Sequence, residues 1–293
     1  MLGCTDAAPR SVSWEVTVAV LFAAAIHAGW NAMVKRGRDP LLETTLVYAW
    51  AALPALAAVM VLPWPGTTAL LHVAASSGVH VLYYHALAAA YRDGDLSFAY
   101  PLMRGTAPMA TAILAVPLLG EWPSVAGAFG IAAVCAGVLT IGLAQPPAGG
   151  RAARDRAFGW AMVTAATIVA YTLIDSSGAR AASSPWAYVA WLALVQGPLM
   201  AMVVGWRRGV ALIDHARARG PGPLAIGIAS MGAYGVALWA MTRAPVAMVA
   251  ALRETSVLFA LLIASAMLGE RIGPRRWFGA IAVVGGVVAL RLA

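Results

Sequence analysis

Long apolar runs alternate with short polar segments along the whole chain. Cutting the sequence at its proline, glycine and charge clusters leaves ten runs of about twenty residues, the length that a helix needs to span a bilayer core. The predicted helices lie near residues 14 to 34, 43 to 62, 68 to 91, 96 to 118, 124 to 144, 157 to 178, 185 to 205, 222 to 242, 245 to 268 and 275 to 291. The pattern therefore predicts an all-α membrane protein with ten transmembrane helices.

The two halves of the chain resemble each other. At a constant offset of 149 residues, Arg104 pairs with Arg253, and the Leu-Gly-Glu sequence at 119–121 pairs with the one at 268–270. A repeated intramembrane arginine and a repeated acidic turn at fixed spacing indicate a duplication. A linker rich in Pro, Gly, Ala and Arg, residues 145–156, separates the copies.

Each half contains five predicted helices, an odd number, so the second copy must enter the membrane upside down. We therefore assign a tail at residues 1–13, a first repeat at 14–144, the linker at 145–156 and a second repeat at 157–293. Inverted repeats of this kind surround a substrate site near the bilayer midplane and support alternating access.

Composition agrees with a lipid environment and narrows the function. Hydrophobic residues make up 61% of the chain, charged residues 11%, and the mean hydropathy is +0.79. The net charge of +8 comes from small basic clusters between apolar runs, so we expect no nucleic-acid partner. Cys4 and Cys135 form neither a disulfide framework nor a metal-binding spacing. Without a Walker motif, a metal cluster or a nucleophile elbow, we expect no cofactor, no metal and no enzyme activity.

Three motifs resemble the EamA branch of the drug/metabolite transporter superfamily. They are the segment His27-Ala-Gly-Trp-Asn-Ala-Met-Val-Lys35, the segment Tyr100-Pro-Leu-Met-Arg-Gly-Thr-Ala-Pro108 and the two Leu-Gly-Glu turns. The resemblance implies a duplicated five-helix domain that exports amino acids, other metabolites or toxic compounds, often driven by ion gradients. The small multidrug-efflux branch uses a central acidic residue in its first helix, which has no counterpart here because Glu15 lies near that helix's start.

Charges inside predicted helices are functional candidates because an unpaired charge in hydrocarbon is costly. Arg104 and Arg253 lie about eight residues, roughly 12 Å, into their helices. Either they bind a carboxylate, phosphate or phosphonate through the guanidinium fork, or they are structural and bind backbone carbonyls. Pro108 removes a hydrogen bond to the carbonyl of Arg104, so we expect an opened helix there, or a simple packing kink.

Two polar stripes recur at i, i+4 and i+8 on the first and sixth helices. They are His27, Asn31 and Lys35, and Thr167, Tyr171 and Asp175. His27 is a candidate for proton exchange or a hydrogen-bonded packing residue. Asp175 is a candidate acid for the same exchange, a ligand for a substrate amine, or a solvated residue near a helix end.

Glu254 follows Arg253 directly, and helical neighbours point about 100° apart, so Glu254 needs another partner. We expect pairing with Arg104 or Lys35, or release of a proton during transport. The predicted substrate-binding residues are Arg104, Arg253, His27, Trp30, Asn31, Tyr100, Tyr171, Asp175 and Trp239, and the proton-coupling candidates are His27, Asp175 and Glu254.

The leading hypothesis is a secondary active transporter in the cell (inner) membrane that exports amino acids or other carboxylate- or phosphonate-bearing metabolites. The alternatives are a flippase for lipid-linked sugar or phosphate and an integral-membrane lipid-modifying enzyme. The expected partners are a small-molecule substrate and the lipid bilayer. Glycines in the fifth and tenth helices permit close packing within one protomer or in a homodimer.

Loop charge predicts the orientation, because Lys and Arg favour the cytoplasmic side. The odd-numbered loops hold fourteen such residues and the other side four. We therefore predict cytoplasmic odd loops and external termini. In a Cys135→Ala variant, Cys4 should react with an impermeant maleimide in intact cells. Labelling that occurs only after lysis would contradict the predicted orientation.

Overall fold

A computed structural model describes residues 12–35, 39–93, 96–144, 151–268 and 273–293. All regular secondary structure in these ranges is helical, which confirms the all-α prediction for this part of the chain. The helices are α1 (Trp14–Lys35), α2 (Pro40–Val61), α3 (Thr67–Asp93), α4 (Leu96–Leu119), α5 (Val125–Gly142), α6 (Arg151–Ala181), α7 (Pro185–Arg219), α8 (Gly222–Met241), α9 (Val246–Arg253), α10 (Ser256–Leu268) and α11 (Pro274–Leu292).

Seven helical segments in the described ranges are long and apolar enough to cross a membrane. They are Leu41–Val61, Ala99–Leu119, Val125–Gly142, Arg154–Ala181, Pro185–Arg219, Gly222–Met241 and Val246–Ile263. Helices α1, α3 and α11 are not among them, so a total of ten spans stays a prediction. The seven suffice for a multi-pass membrane protein.

Two helices are longer than the apolar pattern predicted. Helix α6 starts at Arg151, so residues 151–156 of the predicted linker are helical, while 145–150 lie outside the described residues. Helix α7 continues to Arg219, with non-helical backbone angles at Gly209. The extra residues of both helices are rich in charge, so apolar content alone marks only the part of each helix suited to hydrocarbon.

The helix interruption lies in the second half of the chain, not at Pro108. Helix α4 runs unbroken through Pro108, so the expected opening there is wrong. The repeat-related segment instead divides into α9 and α10, where Glu254 N–H donates to the Ala251 carbonyl at 3.0 Å and Thr255 N–H to the Leu252 carbonyl at 3.1 Å. These i to i+3 bonds tighten the turn and place Glu254 at a helix end.

Helices α5 and α11 pack directly against each other through glycines. A Cβ atom on Gly137 would lie 2.6 Å from the Gly279 carbonyl oxygen, and one on Gly286 would lie 2.9 Å from the Gly130 carbonyl oxygen. The reverse contacts are 2.7 and 2.9 Å, a reciprocal pattern that a two-fold relation between the halves produces. These glycines therefore serve packing within the protomer, and a homodimer stays a prediction that needs other surfaces.

Polar contacts define the two ends of the helix bundle. At one, which we call the Glu121 end, Arg180 at the end of α6 contacts Glu121 between α4 and α5, and Ser183 Oγ donates to the Trp64 carbonyl at 2.7 Å. At the other, the Glu43 end, Arg219 Nε of α7 lies 2.9 Å from Glu43 Oε1 of α2. Interior side chains can thus be placed relative to either end.

Adjacent glycines of α11 provide a matched test of the α5–α11 contact. Gly286→Ala should lower the free energy of unfolding by about 1–3 kcal/mol, because its Cβ meets backbone atoms of α5 that cannot move aside. Gly285→Ala places its Cβ where no atom lies within 4 Å, so it should be neutral or slightly stabilising. Thermal unfolding in detergent measures both; equal effects would contradict the close helix contact.

Candidate functional site

A cavity of about 130 Å³ lies among α1, α2, α3, α4, α6, α7, α8 and the end of α9. Apart from small and aliphatic side chains, its wall is aromatic and polar. The aromatic and polar residues are His27, Trp30, Asn31, Thr44, Tyr48, His80, Tyr83, Tyr84, Tyr100, Arg104, Tyr171, Gln196, Ser230, Tyr234 and Arg253. Both halves of the chain therefore contribute to one cavity, as the duplicated arginines predicted.

Seven of the nine predicted substrate-binding residues line this cavity: Arg104, Arg253, His27, Trp30, Asn31, Tyr100 and Tyr171. Trp239 is not among the lining residues. Its ring lies 4.8 Å from the guanidinium carbon of Arg243. Trp239 is five residues beyond Tyr234, about 140° around the helix, so the two side chains point in different directions.

Arg104 has a permanent counter-charge from the second half of the chain. Its Nε lies 2.8 Å from Glu254 Oε2, and the two side chains are 8% and 5% exposed. Of the two partners expected for Glu254, Arg104 is thus in contact with it, and the side chain of Lys35 lies outside the described part of the chain. The contact is an ion pair without the alignment of a hydrogen bond, and Arg104 Nη2 has no hydrogen-bond partner. The guanidinium therefore retains a donor at the cavity.

Arg253 lies at the cavity without a carboxylate against it. Its guanidinium carbon is 5.3 Å from the ring centroid of Tyr234, a cation–π contact. Among the described residues, no carboxylate oxygen forms an ion pair with it. Arg253 and the paired Arg104 thus have different electrostatic surroundings despite their equivalent positions in the repeats.

Asp175 lies behind the cavity wall rather than in it, which corrects its predicted position. It is fully buried, so the alternative of a solvated helix end is also wrong. Its Oδ1 accepts a hydrogen bond from the Tyr188 hydroxyl at 2.7 Å, and its Oδ2 accepts one from the Tyr234 hydroxyl. Tyr234 therefore connects Asp175, through its hydroxyl, to Arg253, through its ring.

Several cavity donors have no hydrogen-bond partner among the described residues. Trp30 Nε1, Gln196 Nε2 and the Tyr84 hydroxyl are buried and unpaired, like Arg104 Nη2. All four residues line the cavity. A buried donor left unpaired costs about 1–3 kcal/mol, so a ligand with several acceptor atoms gains by supplying partners. The cavity is thus suited to an oxygen-rich ligand.

The histidines and Asn31 mostly make local contacts. Asn31 Nδ2 donates to the His27 carbonyl at 2.9 Å within α1, and the His27 ring packs edge-on against Trp30 at 5.0 Å. His80 stacks on Tyr171 with ring centroids 4.3 Å apart. These contacts fix the aromatic wall in place.

Sequence reasoning missed Tyr234, Tyr48, Gln196 and Ser230 as lining residues. Gln196 had a usable signal, since it is a lone amide within a predicted membrane helix and such polar residues face the protein interior. The tyrosines had none, because an interfacial or packed tyrosine looks identical in sequence. Their roles depend on contacts with distant helices.

Comparison with known proteins agrees with the helical architecture. Residues 157–292 match the model of the EamA-like transporter family. Through this second half, the chain is similar to the EamA-like transporter family, part of the drug/metabolite transporter superfamily. It is thus a multi-pass membrane protein with a transporter fold. The assignment of residues 14–144 as a first EamA-like repeat stays a prediction.

Solved structures share the fold of this chain. The alignment with one of them, a protein crystal structure, covers 97% of this chain and 99% of the other chain, with a TM-score of 0.71 and 18% sequence identity. At that identity the likeness concerns the fold alone. No curated protein sequence matches the chain.

The Arg104–Glu254 pair can be tested separately from ligand binding. Glu254→Gln leaves a buried guanidinium without its counter-charge and should reduce apo stability by about 3–5 kcal/mol. The double variant Arg104→Met/Glu254→Leu removes both charges and should recover most of that loss. Thermal unfolding without ligand measures this; wild-type stability for Glu254→Gln would contradict the structural role of the pair.

Proposed function

We propose that the chain is a secondary active transporter that exports small carboxylate- or phosphonate-bearing metabolites, amino acids among them, by alternating access between its two halves. The transporter family and the shared cavity support this proposal. Export from the cell, across the inner membrane, is the direction implied by the family resemblance.

The observation that carries the anionic substrate is Arg253. Among the described residues it makes no ion pair, yet it lies at a buried cavity where a charge without a counter-charge is costly. Asp175 is connected to it only through Tyr234. A carboxylate in the cavity would give Arg253 a direct partner, in a fork geometry that guanidinium groups favour.

The unpaired donors support the same substrate class. A carboxylate offers about four lone-pair sites, enough to accept hydrogen bonds from Arg253 and from neighbours such as Trp30, Gln196 and Arg104 Nη2. An organic cation offers no acceptor and would lie beside two arginines. The donor set thus favours anions or zwitterions over cationic drugs.

Cavity size limits the substrate to small molecules. The volume of about 130 Å³ is close to the roughly 150 Å³ of an engineered protein cavity that binds benzene. Small amino acids and simple organic acids are in this range. A lipid-linked sugar, the flippase alternative, would require a much larger space.

Glu254 offers a link between substrate and a proton gradient. An anion that reaches Arg104 competes with Glu254 for the same guanidinium, and protonation of Glu254 would remove the competition. We therefore propose Glu254 as the leading proton-coupling residue. His27, beside Trp30, and Asp175, held by two tyrosines, are the other candidates.

Ligand-dependent thermal stabilisation tests the anionic substrate. The purified protein is screened with amino acids, monocarboxylates and phosphonates, each beside its uncharged amide or ester, and with organic cations. We expect an acid to stabilise and its amide to fail. Arg253→Lys should weaken binding by about 1.5–3 kcal/mol, because an ammonium cannot reproduce the guanidinium fork. Arg208→Gln, at an exposed surface pair, is the matched control and should bind normally.

Uptake into proteoliposomes then distinguishes transport of the compound from its enzymatic modification. The stabilising acid should accumulate unaltered, as judged by mass spectrometry, and accumulation should depend on an imposed proton gradient. Equal stabilisation by acid and amide, or unchanged binding in Arg253→Gln, would refute the anion site. Recovery of a modified product would favour the membrane-enzyme alternative.

A further inference from the structure

At the Glu121 end, the Leu-Gly-Glu turn of the first half is linked by hydrogen bonds to α6 and to the hairpin between α8 and α9. Arg180 Nη2 donates to Glu121 Oε1 at 2.5 Å, and Glu121 Oε2 accepts a hydrogen bond from the Val246 N–H at 2.7 Å. Arg180 also donates to the Met241 carbonyl, from Nε at 2.9 Å and from Nη2 at 2.7 Å. The network therefore connects the α4–α5 turn of the first half to α6 and to the α8–α9 hairpin of the second.

The charges of this network match the helix ends that they contact. Helix α9 has no side-chain hydrogen bond from its own N-cap residue, Pro245, and the carboxylate of Glu121 occupies that position instead. Arg180 contacts the last carbonyl of α8. An anion at a helix N-terminus and a cation at a C-terminus are each stabilised by the helix dipole. Arg180 and Met241 both belong to the second half, so separation of the halves here would break the contacts of Glu121 with Val246 and Arg180 and leave Arg180 on α8.

The surrounding packing seals this end. Met241, Ala244 and Val246 are fully buried, and Glu121 itself is 6% exposed. Arg180, by contrast, has a side chain that is 28% exposed, so it covers the carboxylate from the outside. A solute moving between the cavity and the Glu121 end would meet this covered ion pair.

The cavity is displaced toward the opposite end. In α4, its lining begins at Tyr100, four residues from the first residue of the helix at the Glu43 end. It stops at Arg104, fifteen residues from Leu119 at the Glu121 end. Helices α1, α2 and α3 show the same bias. Helix α7 is the exception, because its lining begins at Val189, four residues from its first residue, Pro185, at the Glu121 end; no residue of the network itself lines the cavity. The structure thus has a cavity that ends short of the network.

We propose that Glu121 and Arg180 form a latch between the two halves of the chain that keeps the Glu121 end of the pathway closed and opens when the cavity becomes accessible from that end. Helix α9 gives the latch a mechanical link to the site. Its first residue, Val246, binds Glu121, and its last, Arg253, lies at the cavity about 10 Å away at 1.5 Å per residue. Release of Glu121 allows α9 to move as one unit. The latch rests on the proposed function only in that opening serves transport.

Cysteine labelling tests the latch without a known substrate. In a background with Cys4→Ser and Cys135→Ala, Ala193→Cys places a thiol in the cavity wall. An impermeant maleimide is applied to right-side-out and inside-out vesicles, and Ala181→Cys, an exposed position at the end of α6, identifies the vesicles that present the Glu121 end.

With an intact latch, labelling from the Glu121 end should be slow. Glu121→Gln and Arg180→Gln should each increase its rate by roughly ten- to a hundredfold, as expected when a charged hydrogen bond that favours the closed state is lost. Ser183→Ala removes a hydrogen bond at the same end, to Trp64, that lies outside the latch, and should leave the rate unchanged.

A second variant isolates the contact with α9. Val246→Pro removes the N–H that Glu121 binds without changing either charge, and proline is tolerated at the first position of a helix. The ψ of 133° at Pro245 suits a following proline. This variant keeps the Glu121–Arg180 pair, so labelling should rise less than in Glu121→Gln and remain informative if that variant fails to fold.

Unchanged labelling in folded Glu121→Gln, Arg180→Gln and Val246→Pro proteins overturns the latch, and so does an equal increase in Ser183→Ala. Because no substrate takes part, a chain that labels as expected but binds no anion refutes the proposed substrate and leaves the latch standing.

Discussion

The buried ion pair between Arg104 and Glu254 is the interaction on which the centre of the molecule depends. Each charge alone would be costly in hydrocarbon, and each comes from a different half of the chain, so neither half can bury its charge without the other. The pair lies where the second half interrupts its helix between α9 and α10. That interruption gives Glu254 a helix-end position from which its carboxylate reaches Arg104. Docking of the two halves and formation of the cavity thus depend on the same ion pair.

Duplicated residues have diverged in role within this shared centre. Arg104 is paired with an acid, whereas Arg253 lies on the ring of Tyr234 and has no carboxylate in contact among the described residues. The difference arises because residue 254 is Glu while its repeat partner, residue 105, is Gly. The charge of Arg104 is therefore balanced within the protein, and in the proposed function Arg253 is the arginine left to a ligand. Asp175, through Tyr234, sets the position of the ring on which the available arginine lies.

Close packing supports this arrangement from the side. The glycines of α5 and α11 bring two backbones into contact, which fixes the last helix of each half against its counterpart. The alternating access that we propose would then require movement elsewhere, around the cavity and at the two ends. The Glu121 end contains a contact suited to such a change. Its ion pair can break and re-form without altering the packing of backbones, whereas the glycine contact between α5 and α11 cannot.

The sequence by itself determined the lipid environment, the positions of most helices, the family motifs and the intramembrane arginines, because each depends on local composition or on a motif within one segment. It also limited the partners of Glu254 to a few, since helical geometry excludes its neighbour Arg253. Only the tertiary structure decided that Arg104 is that partner, that Tyr234 connects Asp175 to Arg253, that Trp239 lies outside the cavity and that Glu121 binds Arg180 and Val246. The contacts that join the two halves link residues 59 to 150 positions apart in the chain. Their existence depends on how helices from both halves pack, and the apolar pattern that places each helix in the membrane carries no information about which helix lies beside it.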